Sequence, residues 1–263
     1  MNYYVHNLSP MALEWGWLIL PWYWLAYIAG FFIVYFGMMG FVKSKLIKLS
    51  ANEVHNYLSF GFLALLLGGR VGYILIYNLS YYVRNPMKVF AIWEGGMSFH
   101  GAIIAIAVYT YLCAKKSNRS MFEYADSICL WGPLGLFLGR MANFVNGELA
   151  GRVSDVPWAV IFPKFYDHSP RHPSQIYEAV SEGLILFVIM QVLGKKKIDQ
   201  RGFCSGLFLS VYGVSRFIVE FFRNPDPQIG LYLNYFTLGQ FLCLLMVILG
   251  IFLMKKSERS PSL

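Results

Sequence analysis

The chain has 263 residues, of which 57% are hydrophobic and only 14% charged, with a formal net charge of +8. An average soluble protein carries about 25% charged residues, and so few charges cannot cover a soluble globule of this length. Composition therefore excludes an ordinary soluble domain and points to an integral membrane protein.

A membrane-crossing helix needs about 20 mostly apolar residues. The first such run, 15–42, holds no charge; the second, 54–83, is apolar except for His55 and Arg70. The third, 95–114, carries only His100, and the fourth, 121–144, has Arg140 near its end. The fifth, 174–194, begins with Glu178 and Glu182; the sixth, 202–222, holds Arg216 and Glu220; the seventh, 227–254, is uncharged. None alternates polar with apolar residues as barrel strands do. The expectation is an all-α polytopic membrane protein with seven transmembrane helices. It forms one integral membrane domain over 1–263.

Thirteen basic residues fall in four connections, at Lys43–Lys48, Lys115–Arg119, Lys195–Arg201 and Lys255–Arg259, against six in the opposite set. This excess places the lysine clusters in the cytoplasm, the N-terminus on the periplasmic side and the C-terminus in the cytoplasm. The basic balance thus reads as topology, with no nucleic-acid partner. Trp15, Trp17, Trp22 and Trp24 suit an interfacial belt on the outer side. No basic segment precedes the first run, which reads as a retained span and not a cleaved leader. The connection 145–175, on the periplasmic side, is rich in Gly, Pro, Asn and Asp and carries turn chemistry. Cys113, Cys129, Cys204 and Cys243 lie in apolar stretches without a CxxC spacing and read as small hydrophobes.

Charges inside apolar runs cost about 2.5–3.5 kcal/mol each on insertion scales and mark functional sites by default. Here they gather toward the outer half. Tyr212, Arg216, Glu220 and Arg223 share one helical face by their spacing. A self-neutralising Arg216–Glu220 pair is expected, and leaves open why a span carries charges at all. Arg140 and Asn143 also share a face and lead into Asn146-Gly147-Glu148; a snorkelling arginine is the alternative there. Arg70 sits among glycines that permit close helix approach, where bonding to neighbouring backbone carbonyls, a supporting role, is favoured. His100, in Gly95-Gly96-Met97-Ser98-Phe99-His100-Gly101, is either a structural donor or a proton-exchanging group.

There is no HExxH, no GxSxG, no phosphate-binding glycine loop and no metal set among the histidines, so no metal or cofactor is expected. A protein nucleophile is not apparent. Arginine holds phosphate through a planar fork, and at leaflet depth phosphates belong to lipid head groups. A phospholipid site follows, serving a lipid enzyme, a phospholipid flippase or an anionic-lipid transporter. Transporters of many folds carry internal repeats with broken helices, and none is visible here.

Six strings, in order along nearly the whole chain, are similar to the prolipoprotein diacylglyceryl transferase family of bacterial inner membranes. They are Pro21-Trp22-Tyr23, Gly68-Gly69-Arg70-Val71-Gly72-Tyr73, the His100 string, the stretch 139–152 around Arg140 and Asn146-Gly147-Glu148, Arg171-His172-Pro173-Ser174-Gln175-Ile176-Tyr177-Glu178, and 212–223 around Arg216. Ala102 and Ala142 stand where the family pattern leads one to expect glycine, adding bulk near His100 and Arg140. The resemblance implies transfer of the diacylglyceryl group of phosphatidylglycerol to the lipobox cysteine of a prolipoprotein signal peptide, within the lipid bilayer, releasing glycerol phosphate. It implies that Arg140 and Arg216 grip the lipid phosphate and that His100 takes the thiol proton or orients the group that does. Tyr23, Arg70, Asn143, Asn146, Glu148, Tyr212 and Glu220 complete the head-group site.

Overall fold

The computed structural model describes residues 3–16, 18–91, 96–224 and 237–259. Trp17, Gly95 and the start of the seventh run lie outside them, as does the side chain of His100. The chain forms two compact units, one of 1–38 with 126–263 and one of 39–125.

All seven apolar runs contain helix, and their borders move for physical reasons. The first run does not start as helix. Residues Met11–Trp15 (β2) and Leu18–Pro21 (β3) form an antiparallel hairpin, turned at Gly16 with φ +59°. Helix α1 then covers Trp22–Lys43. Helix α2, Ala51–Tyr77, opens on a reciprocal cap in which Ser50 and Glu53 bond each other's backbone, and stops at Asn78. The remainder of the second run is a separate short helix, α3, Leu79–Arg84, ended by Asn85-Pro86. The third run becomes α4, Phe99–Lys116, whose first turn is capped by Ser98 accepting from the Gly101 amide. The fourth run is broken into α5, Met121–Cys129, and α6, Gly132–Asn146, bent by 50°. Pro133 explains the break, because it has no N–H to donate and its ring excludes the carbonyl four residues back. Helix α7 covers Ser174–Lys197, with Ala179–Ile185 and Met190–Gly194 wound as wider turns. Helix α8 is Phe203–Val219 and α9 is Leu238–Lys256, the latter begun by a reciprocal Thr237–Gln240 cap.

Among the described residues, four helices are long and apolar enough to cross a membrane, and five if the bent pair counts as one span. The described residues are mostly helical, with a few short strands. In the first unit Tyr4–Val5 (β1) lies parallel to Val160–Ile161 (β4), which pairs antiparallel with Pro170–Arg171 (β5). Gln200–Arg201 (β6) pairs with Glu258–Arg259 (β7) beside the lysine clusters.

Burial departs from that of a soluble protein in both directions. Phe36, Leu67 and Ile248 are 64%, 66% and 64% exposed, while Gln175, Glu178 and Glu182 are fully buried. Apolar side chains turned outward around a polar interior are what a hydrocarbon surrounding requires, and the chain is a membrane protein. In the 39–125 unit α2 packs on α4 through facing glycines: a Cβ on Gly101 would lie 2.3 Å from the Gly68 carbonyl oxygen.

Candidate functional site

The site lies within the unit of 1–38 and 126–263. Helix α6 carries Arg140 and Asn143, α7 carries Glu178 and Glu182, and α8 carries Tyr212 and Arg216, with Glu220 and Arg223 in the turns that follow it. Helices α6 and α7 meet closely because residue 183 has no side chain. A Cβ on Gly183 would sit 2.6 Å from Phe137 Cβ and 2.8 Å from its Cα. That approach sets the two carboxylates of α7 against the arginine of α6.

Glu178 is the hub. Its Oε2 lies 2.9 Å from Arg140 Nε. Its Oε1 accepts from Arg216 Nη1 at 2.8 Å and also from Arg223 Nη1. Four residues on, Glu182 accepts from Arg140 Nη2 at 3.3 Å and faces Arg216 Nη1 at 3.7 Å. The expected Arg216–Glu220 pair is present at 3.1 Å. Glu220 also faces Arg223 Nε at 3.4 Å and accepts from the Thr237 hydroxyl at 3.0 Å. The carboxylates are buried, with side-chain exposures of 1% for Glu178 and 0% for Glu182, while Arg140 and Arg216 keep 21% and 17%. Each guanidinium is therefore held by buried carboxylates while its side chain keeps some accessible surface.

Beside this cluster α6 ends. Gly147 adopts φ +78° and closes the helix in the left-handed region. The chain then turns back, so that Asn143 Nδ2 donates to Glu148 Oε1 at 2.8 Å and Asn146 Nδ2 reaches the same oxygen at 3.4 Å. Gln175 Nε2 donates to the Glu148 carbonyl at 2.6 Å, and Ser174 Oγ to that of Leu149 at 3.0 Å. The Asn-Gly-Glu and Pro-Ser-Gln strings are thus one structural unit, joining the end of α6 to the start of α7. Tyr23 packs on Tyr27, with ring centroids 5.0 Å apart, and the Tyr27 hydroxyl feels both Glu148 and Arg140. The Tyr212 hydroxyl feels Glu178, Glu182, Arg140 and Arg216.

The connection 145–175 folds as a cap over a small apolar core of Ala150, Val160 and Phe162. His6 is buried against Phe144 and Phe162. The Gly151 amide donates to the His172 carbonyl, and the Arg152 amide to that of Phe222, both at 2.9 Å. Arg152 Nε donates to the Arg223 carbonyl at 2.8 Å.

The structure brings together Arg140, Arg216, Glu220 and Tyr212, and places Tyr23, Asn143, Asn146 and Glu148 next to them through Tyr27 and the end of α6. Arg70 and His100 belong to the 39–125 unit. Arg70 is 4% exposed. It donates to the carbonyls of Lys88, Val89, Ala91 and Gly96 at 2.7, 3.0, 3.0 and 3.3 Å, and its guanidinium lies 5.2 Å from the Tyr82 ring centre. His100 stands in the first turn of α4. Glu178, Glu182 and Arg223 were not among the expected site residues. The rule that selected Arg140 selects Glu178 and Glu182 too, since two acids four apart in an apolar run carry the same insertion cost.

The family model for prolipoprotein diacylglyceryl transferase matches residues 10–255. The chain is 46% identical over 253 residues to the phosphatidylglycerol–prolipoprotein diacylglyceryl transferase of Idiomarina loihiensis, covering 96% of this chain and 94% of that one. It is 41% identical over 259 residues to the protein of the same name from Azospirillum brasilense, with 97% of each chain covered. The Geobacter sulfurreducens protein of that name is 43% identical over 245 residues, covering 93% of this chain and 94% of the other.

Proposed function

The chain belongs to the prolipoprotein diacylglyceryl transferase family, and on that premise we propose that it moves the diacylglyceryl group of phosphatidylglycerol onto the thiol of a prolipoprotein's lipobox cysteine. Glycerol phosphate is released, in the first step of lipoprotein maturation. The observation that carries this reading is the shared grip of Glu178 and Glu182 on Arg140 and Arg216. It turns two distant sequence positions into one fixed fork with some accessible surface.

The chemistry matches the residues. The nucleophile belongs to the substrate, which accounts for a site built of arginines. A cysteine thiol with an ordinary pKa near 8.5 attacks well only as thiolate. As the sulfur displaces the phosphate oxygen from the glyceryl carbon, negative charge grows on the leaving phosphate. Guanidinium groups already fixed in a place of low dielectric stabilise that charge without reorganising. Arg140 and Arg216 hold the phosphate, and Glu220 steadies Arg216. Tyr23, Asn143, Asn146, Glu148 and Tyr212 line the head-group site. His100 takes the thiol proton or orients the group that does, and Arg70 supports the loop before it. The seven helical stretches cross the inner membrane, with the N-terminus periplasmic, the C-terminus cytoplasmic and the site in the periplasmic leaflet.

The test is incubation of the purified protein with phosphatidylglycerol and a lipobox peptide. A gain of one diacylglyceryl mass on the peptide cysteine is expected. Lipid movement between leaflets without that mass gain would overturn the reading. In the same assay His100→Gln should lower the rate and change its pH profile, and an unchanged profile would remove His100 from proton transfer.

A further inference from the structure

Among the described residues, the arginine cluster is electrically balanced before any lipid arrives. Among the described residues of its unit, Arg140, Arg216 and Arg223 face Glu178, Glu182 and Glu220. At the rim Glu148 adds a negative charge beside Asn143, and Arg152 adds a positive one against the Arg223 carbonyl. A phosphodiester brings one more negative charge into this surrounding. An anion added to a buried, already neutral cluster is strongly disfavoured unless something else becomes more positive.

The three carboxylates are not equally committed. Glu178 holds Arg140 at 2.9 Å, Arg216 at 2.8 Å and Arg223 besides. Glu220 holds Arg216 at 3.1 Å and Arg223 at 3.4 Å, and receives the Thr237 hydroxyl at 3.0 Å. Glu182 has its cations farthest away, at 3.3 and 3.7 Å, while one carboxylate oxygen on each of the three acids accepts no well-directed hydrogen bond among the described residues. The groups that face it are Glu178 on its own helix, Arg140 on α6, Tyr212 and Arg216 on α8, and Cys243 on α9. Both of its cations are the two arginines that the phosphate engages. Of the three acids it is thus the one whose compensation the lipid takes away.

We infer that Glu182 takes up a proton when the anionic head group binds, so that the buried cluster stays neutral. The inference rests on the transfer reading, since it takes the phosphate to lie on Arg140 and Arg216. Protonated, Glu182 becomes a hydrogen-bond donor able to face the Tyr212 oxygen or Glu178. Binding of phosphatidylglycerol is then coupled to protons and weakens as pH rises.

The experiment is calorimetric titration of the full-length protein in detergent with dioctanoyl phosphatidylglycerol. It is run from mildly acidic to neutral pH in two buffers of different ionisation enthalpy. The difference in heat between buffers reads the protons taken up, and the maximum should reach about one per lipid bound. Glu182→Gln should still bind, with uptake near zero. Glu182→Asp should keep the uptake, which separates the carboxyl from its packing. Binding by the wild type without proton exchange would overturn the inference while leaving the transfer reading intact. Equal uptake by wild type and Glu182→Gln would do the same. A wild-type protein that bound no phosphatidylglycerol at all would overturn the functional reading, and the inference with it.

Discussion

Arg70 and Arg216 both lie in apolar runs, yet the described residues around them differ. Among the described residues, Arg70 donates to the carbonyls of Lys88, Val89, Ala91 and Gly96 and lies over the Tyr82 ring. Arg216 is answered by Glu178 and Glu220, shared with Arg140 and Arg223, and keeps some accessible surface. An arginine that bonds several backbone carbonyls can act as a fastener between stretches of chain. One that shares carboxylates with other arginines, and keeps some accessible surface, can accept a further anion. A charge in a membrane segment is thus not one kind of signal, and its partner decides what it does.

The difference is sharpest on substitution. Arg216→Ala should lower transfer by about a hundredfold or more, the usual cost of deleting one fixed donor to developing charge. The same change leaves Glu178 with two cations, so folding should be retained; activity per folded molecule, measured after size-exclusion chromatography, separates the two effects. Near-normal lipidation would remove Arg216 from the mechanism. Gly183→Val comes next. Its side chain meets Phe137 Cβ and Cα, forcing α6 from α7 and Arg140 from Glu182. Displacement of a positioning group by about 1 Å can cost up to about a hundredfold, and the loss should appear in the rate more than in lipid affinity. Arg70→Lys breaks the comparison if the two arginines are alike. As a fastener it should lose about 1–3 kcal/mol of stability from carbonyls left without donors, seen as a lower melting temperature, while the folded fraction keeps most of its transfer rate. A hundredfold loss with unchanged melting would put Arg70 on the substrate.

Sequence alone reached Arg140, Arg216 and Glu220 because insertion cost and helical spacing are local properties. It also reached the Arg216–Glu220 pair, four residues apart on one face. It noted Glu178 and Glu182 as charges but did not join them to Arg140. That meeting depends on Gly183 letting α7 lie against Phe137, forty-six residues away, and periodicity assigns a face without naming its partner. The second half of the hairpin, residues 15–21, falls inside the first apolar run, 15–42, for a similar reason. An unbroken apolar run fits a buried strand as well as a helix, and Gly16 alone does not mark the turn. The break at Pro133 was legible in principle, since proline inside a helical run ends or kinks it, but the run's length concealed it.

The smallest effect is expected in the cap, where the two histidines, His172 and His6, rest against neutral groups. Trp158 Nε1 donates to the Tyr177 hydroxyl at 2.7 Å, and that hydroxyl lies 3.0 Å from His172 Nδ1. With its oxygen already accepting, Tyr177 is placed to donate to the neutral imidazole ring. Burial pushes the His172 pKa below its ordinary 6.5 and does the same, as the largest cause, for His6. Both rings are therefore favoured neutral in the folded state. Their contribution to stability is complete above the unfolded value and is lost as pH falls from there through the lowered folded values. Amide exchange across residues 150–173 should accordingly quicken on going from neutral to mildly acidic pH, and His172→Phe should shrink that change. The Arg140–Glu178–Arg216 network, whose acids are held by several cations, should keep its protection over the same interval. Equal acid sensitivity in the cap and in the network would erase the distinction between neutral and ionic partners, and sensitivity unchanged by His172→Phe would assign it to another group.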